Sequence, residues 1–329
     1  MPTKNNNPIV SICCTVYNHE KFLEDTFNGF LSQEVDFPIE IVINEDCSSD
    51  SSAEIIRKYE QLYPHIVKPV YQSVNQYSLG KKPLTQLVLP RAKGKYIAIC
   101  EGDDYWTDPK KLQIQVDEME KRPECQMSFH PAQKLNQQTG ELFTISRHHK
   151  ENKIIDPKNI IKADGGYCPT ASLMFRKKII DNLPDLVYDA PVGDYFLQVL
   201  GSIADGALYI DRVMSVYRTE TGIGWKDRLD NLDRKKIFVD NYITSIEELN
   251  EYLKFVFCDS FMYLKSKIYL RYAIQFLKGR RIDDFRSHIE KSYALFQLKT
   301  IELSLLYHLR YFPRFLMLVC RIKNYFIKN

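Results

Sequence analysis

Lys95-Tyr96-Ile97-Ala98-Ile99-Cys100-Glu101-Gly102-Asp103-Asp104-Tyr105-Trp106 is the stretch on which the reading of this chain turns. Tyr96 to Cys100 is a short apolar run of the kind that forms a buried strand. It ends in three carboxylates within four positions: Glu101, Asp103 and Asp104. Carboxylates crowded this closely repel one another unless a cation neutralises them. Hard oxygen ligands favour Mg2+ or Mn2+, which leave coordination positions open for phosphate oxygens. A divalent ion at this strand end would bridge a diphosphate and stabilise a departing nucleotide. The plain alternative is that Asp103 and Asp104 only start a turn before a helix. Asp108, ahead of Pro109, reads as the cap of that helix.

Upstream, strand and helix signals alternate. Ile9 to Thr15 reads as a strand, Lys21 to Gln33 as a helix with an apolar stripe, and Ile39 to Ile43 as a second strand. A helix to about Tyr63, capped by Asp50 or Ser51, precedes a third strand at Val67 to Tyr71. A short helix is expected around Leu84 to Leu89. Such alternation predicts a mixed, mostly parallel sheet with helices on both faces. Ligands of such sheets bind beyond the carboxyl ends of the strands. That rule selects three segments: Thr15 to Asn18, Glu45 to Ser49, and Glu101 to Trp106.

Downstream, Met127 to Pro131 and Ala171 to Phe175 read as strands and Asp194 to Leu200 as a helix. Ala207 to Ile210 and Met214 to Arg218 read as a closing strand pair. A break near Thr219 to Gly224 divides an α/β domain, 1–222, from a helical extension, 223–329. The first divides again into two halves, 1–105 and 106–222.

The order strand, Thr-Val-Tyr-Asn, strand, Glu-Asp-Cys-Ser-Ser-Asp, strand, Glu-Gly-Asp-Asp resembles the inverting nucleotide-sugar glycosyltransferases of family two. The resemblance covers roughly residues 8 to 220. It implies the GT-A fold, a three-layer α/β/α sandwich, with 1–105 as the nucleotide-binding half and 106–222 as the acceptor half. It also implies a divalent cofactor, Mn2+ or Mg2+, a nucleotide-sugar donor, UDP- or dTDP-linked, and a glycan or lipid-linked glycan acceptor. On this resemblance Thr15, Tyr17 and Asn18 help form the base pocket, and Asp46, with Glu45 beside it, binds the base edge. Asp103 and Asp104 match the metal- and donor-binding acidic pair. Glu101 stands where an aspartate is more usual and leaves open which of the two ligates the metal.

Displacement at an anomeric carbon needs a base for the acceptor proton. Asp194, after Gly193 and before an apolar helix, matches the family's base carboxylate. Its plain alternative is an N-cap. Thr170, with Pro169 and Ser172, resembles the acceptor-facing loop. His130 ends a predicted strand on the same side, and Trp106 and Trp225 are candidates to stack on sugar faces. Arg218 to Gly224 reads as a segment able to close over the donor.

Composition sets outer limits. Forty-five basic against 42 acidic residues, net +3, are too even to suggest a nucleic-acid partner on bulk charge, and none is expected. Eight cysteines without a Cys-x-x-Cys pair predict free thiols and a reducing, cytoplasmic setting. The N-terminal residues lack an apolar signal core, and the last apolar run, Phe315 to Cys320, is far short of the ~20 residues of a spanning helix. The tail after Glu302 carries Arg310, Arg314, Arg321, Lys323 and Lys328 and no acidic residue. That makes it the candidate for peripheral membrane contact, at the inner face of the cell membrane. A nucleotidylyltransferase is the competing enzyme, but Val16 to Leu23 lacks the glycine and arginine of a triphosphate loop. A non-catalytic nucleotide- or glycan-binding protein is the competing class. No Gly-x-Gly-x-x-Gly marks a dehydrogenase.

Overall fold

The structure, a computed structural model, describes residues 7–222, 231–295 and 300–318. The chain forms two compact units, Met1–Gly224 and Trp225–Asn329.

The first unit is built on continuous apolar strands. These are β1 (Val10–Val16), β2 (Ile39–Glu45), β3 (Val67–Tyr71) and β4 (Tyr96–Ile99), with helices α1 (Leu23–Leu31) and α2 (Ser52–Leu62) between the first three. β5 (Tyr105–Trp106), α3 (Lys111–Glu120), β6 (Met127–Phe129), β7 (Ala132–Asn136), β8 (Leu142–Ile145), β9 (Lys153–Ile155) and α4 (Pro157–Lys162) follow. Then come β10 (Met174–Arg176), α5 (Lys177–Ile180), α6 (Leu186–Asp189), α7 (Gly193–Ser202), β11 (Ala207–Tyr209) and β12 (Ser215–Thr219).

Eight strands make one mixed sheet in the order β3-β2-β1-β4-β10-β6-β11-β9. β10 and β9 run against their neighbours; the other pairings are parallel. The side-chain period of two splits β1 between layers. Val10, Ile12, Cys14 and Val16 pack with Phe27 and Phe30 of α1, Ile56 of α2 and Leu112 and Met119 of α3. β1 also packs on the turns at Pro83–Arg91, and just beyond them Ser11 Oγ accepts the amide hydrogen of Gly94 at 2.8 Å. Each fully buried Leu, Ile or Phe in such a core contributes ~1.5–3 kcal/mol. α7 lies so close to β10 and β6 that a Cβ at Gly201 would stand 2.8 Å from Phe175 Cε1 and 3.0 Å from Met127 Sδ.

Three expectations change. The helix around Leu84 to Leu89 is a wide turn, Pro83–Val88, followed by a tight one, Leu89–Arg91; Pro90 supplies no amide hydrogen for a regular helix. The strand read at Ala171 to Phe175 starts at Met174, because Pro169 O accepts from both the amide and the hydroxyl of Ser172 and winds 170–172 into a turn. The closing strand pair does not exist as a pair. β11 joins the main sheet, while β12 enters a second sheet, β5-β12-β7-β8. Amide hydrogen bonds from Ile210 to Phe129 O and from Thr107 to Met214 O carry the chain from one sheet to the other.

Among its described residues the second unit holds helices α8 (Leu232–Tyr252), α9 (Cys258–Lys278), α10 (Ile282–Ala294) and α11 (Ile301–His308). Asn231 and Thr300 cap α8 and α11 through their side chains. Val239, Ile246, Phe261, Phe276, Phe285 and Ile289 form the interior of this unit.

Candidate active site

The strand order turns back between β1 and β4, and the crevice of such a sheet opens beyond the carboxyl ends at that point. Both strands end there. The amide of Gly102 donates to Thr15 O at 3.0 Å. A Cβ on residue 102 would lie 2.7 Å from His19 Nδ1 and 2.8 Å from Val16 Cγ2, so only glycine lets the acidic loop lie this close to β1.

On the β1 side, Asn18 has φ +59°, a conformation Asn tolerates better than most residues. Its amide donates to Ser48 Oγ at 3.0 Å, and its Oδ1 accepts from Ser49 N at 2.8 Å. The amides of His19 and Glu20 donate to Ser52 Oγ and Asp50 Oδ2. The loops after β1 and β2 thus form one rigid lip, with Tyr17 half-buried upon it. Glu45 and Asp46 are each 3% exposed. Glu45 Oε1 accepts the Ser48 amide at 2.7 Å. Asp46 uses both oxygens on the loop after β3, accepting from Gln76 N at 2.8 Å and Tyr77 N at 3.0 Å. Asp46 thereby ties the end of β2 to the loop after β3.

The acidic loop separates its carboxylates by depth. Asp103 is half-buried, and Asp104 is fully buried. Asp104 Oδ1 accepts the Arg218 amide at 2.8 Å, and its Oδ2 is a buried oxygen without a hydrogen-bond partner. Burial first, then Asp103 and Glu101, push its carboxyl well above the usual range. Water reaches Glu101, yet the protein-walled recess around it, then Asp103 and Asp194, push its carboxyl up to about 8. The cause of this rise is informative, because it puts Asp194 within electrostatic reach of the acidic loop.

Asp194 is the second residue of α7, whose cap position is Val192, so the N-cap alternative does not hold. Its Oδ2 accepts the Thr170 hydroxyl at 3.0 Å, and its Oδ1 accepts the Tyr195 amide at 2.9 Å. Burial raises its carboxyl above the ordinary aspartate value despite these two bonds. Glu101, Asp103 and Asp194 therefore lie within electrostatic reach of one another, with the buried Asp104 behind them and Thr170 orienting Asp194.

Two acceptor candidates are corrected. Trp106 is 3% exposed, donates through Nε1 to Ala171 O at 2.9 Å, meets Phe30 edge-on and carries the Lys111 ammonium over its ring. No face remains for a sugar. His130 is fully buried, because β6 lies between β10 and β11, and its Nδ1 sits 2.9 Å from Pro131 O. Burial and then the Lys111 charge hold its pKa well below the usual value, so it stays neutral inside. Arg218 is no part of a closing segment. Its buried guanidinium donates to Asp103 O, pairs with Asp25 and lies over the rings of Tyr105 and Phe22. Gly224 and Trp225 lie outside the described residues.

Sequence reasoning missed Tyr217. Burial, then Asp104, Glu101, Asp103 and Asp194, raise its phenol, so it keeps its proton among four carboxylates. The available signal was strand parity, which sets Tyr217 and the buried Arg218 on opposite faces of one strand.

A mixed, mostly parallel sheet whose strand order reverses beside an acidic loop is an α/β fold of the GT-A type. The sequence model of glycosyl transferase family 2 matches residues 11–183, and the chain belongs to that family. It is 30% identical over 234 residues to the uncharacterized protein Rv1520 of Mycobacterium tuberculosis, covering 70% of this chain and 63% of that protein. It is 34% identical over 125 residues to the putative teichuronic acid biosynthesis glycosyltransferase TuaG of Bacillus subtilis, covering 38% of this chain and 47% of that one. The match thus spans less than two thirds of either relative. The S. aureus TarS 1–349 structure in complex with UDP-GlcNAc shares the fold, with a TM-score of 0.54 at 16% identity over 88% of this chain and 93% of that one.

Proposed function

We propose that this chain transfers a sugar from a UDP- or dTDP-linked donor to a hydroxyl of a glycan or lipid-linked glycan, with inversion, in the assembly of a bacterial surface polysaccharide. The observation that carries this reading is the convergence of Asp194, held by Thr170, with the acidic loop in one crevice. The two acidic groups have separable tasks. Asp194 takes the acceptor proton, since burial makes it a stronger base than a free aspartate. Asp103 faces the donor diphosphate.

The donor set fits a hard divalent cation. Asp103, with Glu101 beside it, would hold Mg2+ or Mn2+, while the deeply buried Asp104 braces the loop through the Arg218 amide. Among the described residues no three His, Cys, Asp or Glu side chains enclose a cation unaided. Diphosphate oxygens and water would complete the shell, as these ions prefer. When bound, the cation supplies stabilisation of the departing nucleoside diphosphate.

Thermal unfolding with UDP-, dTDP- and GDP-sugars, each with and without Mn2+, tests the reading. A donor at 100 times its Kd adds about 2.7 kcal/mol to the unfolding free energy. A UDP- or dTDP-sugar should shift Tm only with the metal; no shift with any donor overturns the proposal.

The same reading puts the enzyme in the cytoplasm, against the inner face of the cell membrane. Its support is the exposure of Ile301, Leu305, Tyr311, Phe312, Phe315 and Leu318 beside Arg310 and Arg314. No helix among the described residues is long and apolar enough to cross a membrane, so contact would be interfacial. The chain should float with phosphatidylglycerol vesicles, and the double variant Phe312→Ala, Phe315→Ala should remain at the bottom of the gradient. Failure of the wild type to float retires the membrane contact.

A further inference from the structure

Tyr217 stands where the two halves of the cleft meet. β12 pairs antiparallel with β5, directly after the acidic loop, with Val216 opposite Tyr105. The same strand packs on the turn at Thr170–Ser172, and Thr170 holds Asp194. Tyr217 is thereby set between the acidic loop and Asp194. Its neighbours in the strand fix its direction. Val216 and Arg218 are buried, and Arg218 reaches back to Asp25 and Asp103 O. Strand parity sends the half-buried Tyr217 to the other face. All four carboxylates of the cleft act on it.

We propose that the Tyr217 hydroxyl is the hydrogen-bond donor that holds the transferring sugar between the acidic loop and Asp194. This rests on the family-two reading above. Its chemical basis is complementarity. A carboxylate that holds a cation or takes up a proton only accepts hydrogen bonds, and it suits the donor hydrogens of a sugar. Sugar hydroxyl oxygens also need a donor, and a phenol supplies one without adding charge. Its ring lends the contact a rigid arm with few rotamers to lose. Tyr217 is therefore a substrate-contacting residue that sets sugar position and choice, while the nucleotide is held elsewhere, at the lip formed by the loops after β1 and β2.

The test is Tyr217→Phe, which keeps the ring and removes the hydroxyl. Titration calorimetry with Mn2+ compares UDP with UDP-GlcNAc, UDP-glucose, UDP-galactose and dTDP-glucose, beside a thermal melt of each protein. The variant should melt with the wild type and bind UDP equally. Its Kd for the sugar nucleotide that the wild type binds should rise about tenfold, the range of one hydrogen bond to an uncharged partner. Turnover should fall further than binding, because a loosely held anomeric carbon is misaligned for attack. Equal losses for UDP and the sugar nucleotide would move the contact to the diphosphate and overturn the sugar assignment. Unchanged binding and turnover would overturn it outright. A wild type that binds no nucleotide in the panel would sink the family-two reading itself, and the Tyr217 role with it.

Discussion

Asp194→Asn should lower kcat about 10²–10⁴-fold, the usual worth of a positioned general base, while leaving donor affinity intact. Asparagine preserves the geometry. Its Oδ1 can still accept the Tyr195 amide, and its Nδ2 can donate to the Thr170 hydroxyl that now serves as acceptor. What disappears is the lone pair able to take a proton. Stability should move the opposite way. Burial raises the Asp194 carboxyl above its unfolded value, so between the two values the folded state binds more protons than the unfolded one. Stability contributed by this group is present at low pH and lost as pH rises through the folded pKa. At neutral pH the ionised aspartate is therefore a liability, and Asp194→Asn should melt at or above the wild-type temperature. Loss of turnover without loss of stability separates a catalytic group from a structural one. The pH profile supplies a second check. Catalysis requires the ionised carboxylate, so the acid limb of kcat/KM in the wild type should lie above the ordinary aspartate range and rise with pH to a plateau. A variant that keeps wild-type turnover would remove Asp194 from the chemistry.

Much of this architecture was legible because its central strands are buried on both faces. Ile9 to Thr15, Ile39 to Ile43 and Tyr96 to Cys100 are nearly unbroken apolar runs, and β1, β2 and β4 begin or end within two residues of them. Their carboxyl ends then place Asn18, Asp46 and Asp103 at one edge without any knowledge of side-chain packing. The second sheet escaped for the converse reason. β5 has two residues, and β8 exposes Leu142 and Phe143, so neither carries a clear burial pattern. Pairing of β12 with β5 joins residues over a hundred positions apart, and no local signal announces it. Neighbouring acids posed the hardest problem. Asp103 and Asp104 look alike in the sequence, and only the amide of Arg218, reaching Asp104 from that distant strand, assigns them different depths. Trp106 and His130 failed as acceptor candidates on the same ground: being near a strand end does not determine whether a ring faces the crevice or the core.

Asp103→Ala is the complementary experiment, and its expected result is a loss of binding, not of proton transfer. The acidic loop should hold its shape, because it is fastened through the main chain. Arg218 donates to Asp103 O, the Thr26 hydroxyl lies 2.7 Å from Asp104 O, and the Gly102 amide is bonded to Thr15 O. None of these contacts uses the Asp103 carboxylate. Removing that charge also relieves Glu101 and Asp104, both of which it pushes upward. The melting temperature without ligand should therefore be unchanged or higher. With a sugar nucleotide and Mn2+, the metal-dependent stabilisation should vanish. kcat/KM should fall about 10²–10³-fold, the typical cost of deleting one preorganised electrostatic contact to developing charge. Asp104→Asn distinguishes position from charge. If the buried Asp104 only braces the loop, the amide still accepts from Arg218, and metal-dependent donor binding survives. Should Asp103→Ala retain the Mn2+-dependent shift while Asp104→Asn abolishes it, the depth argument would be wrong and the inner carboxylate would be the ligand.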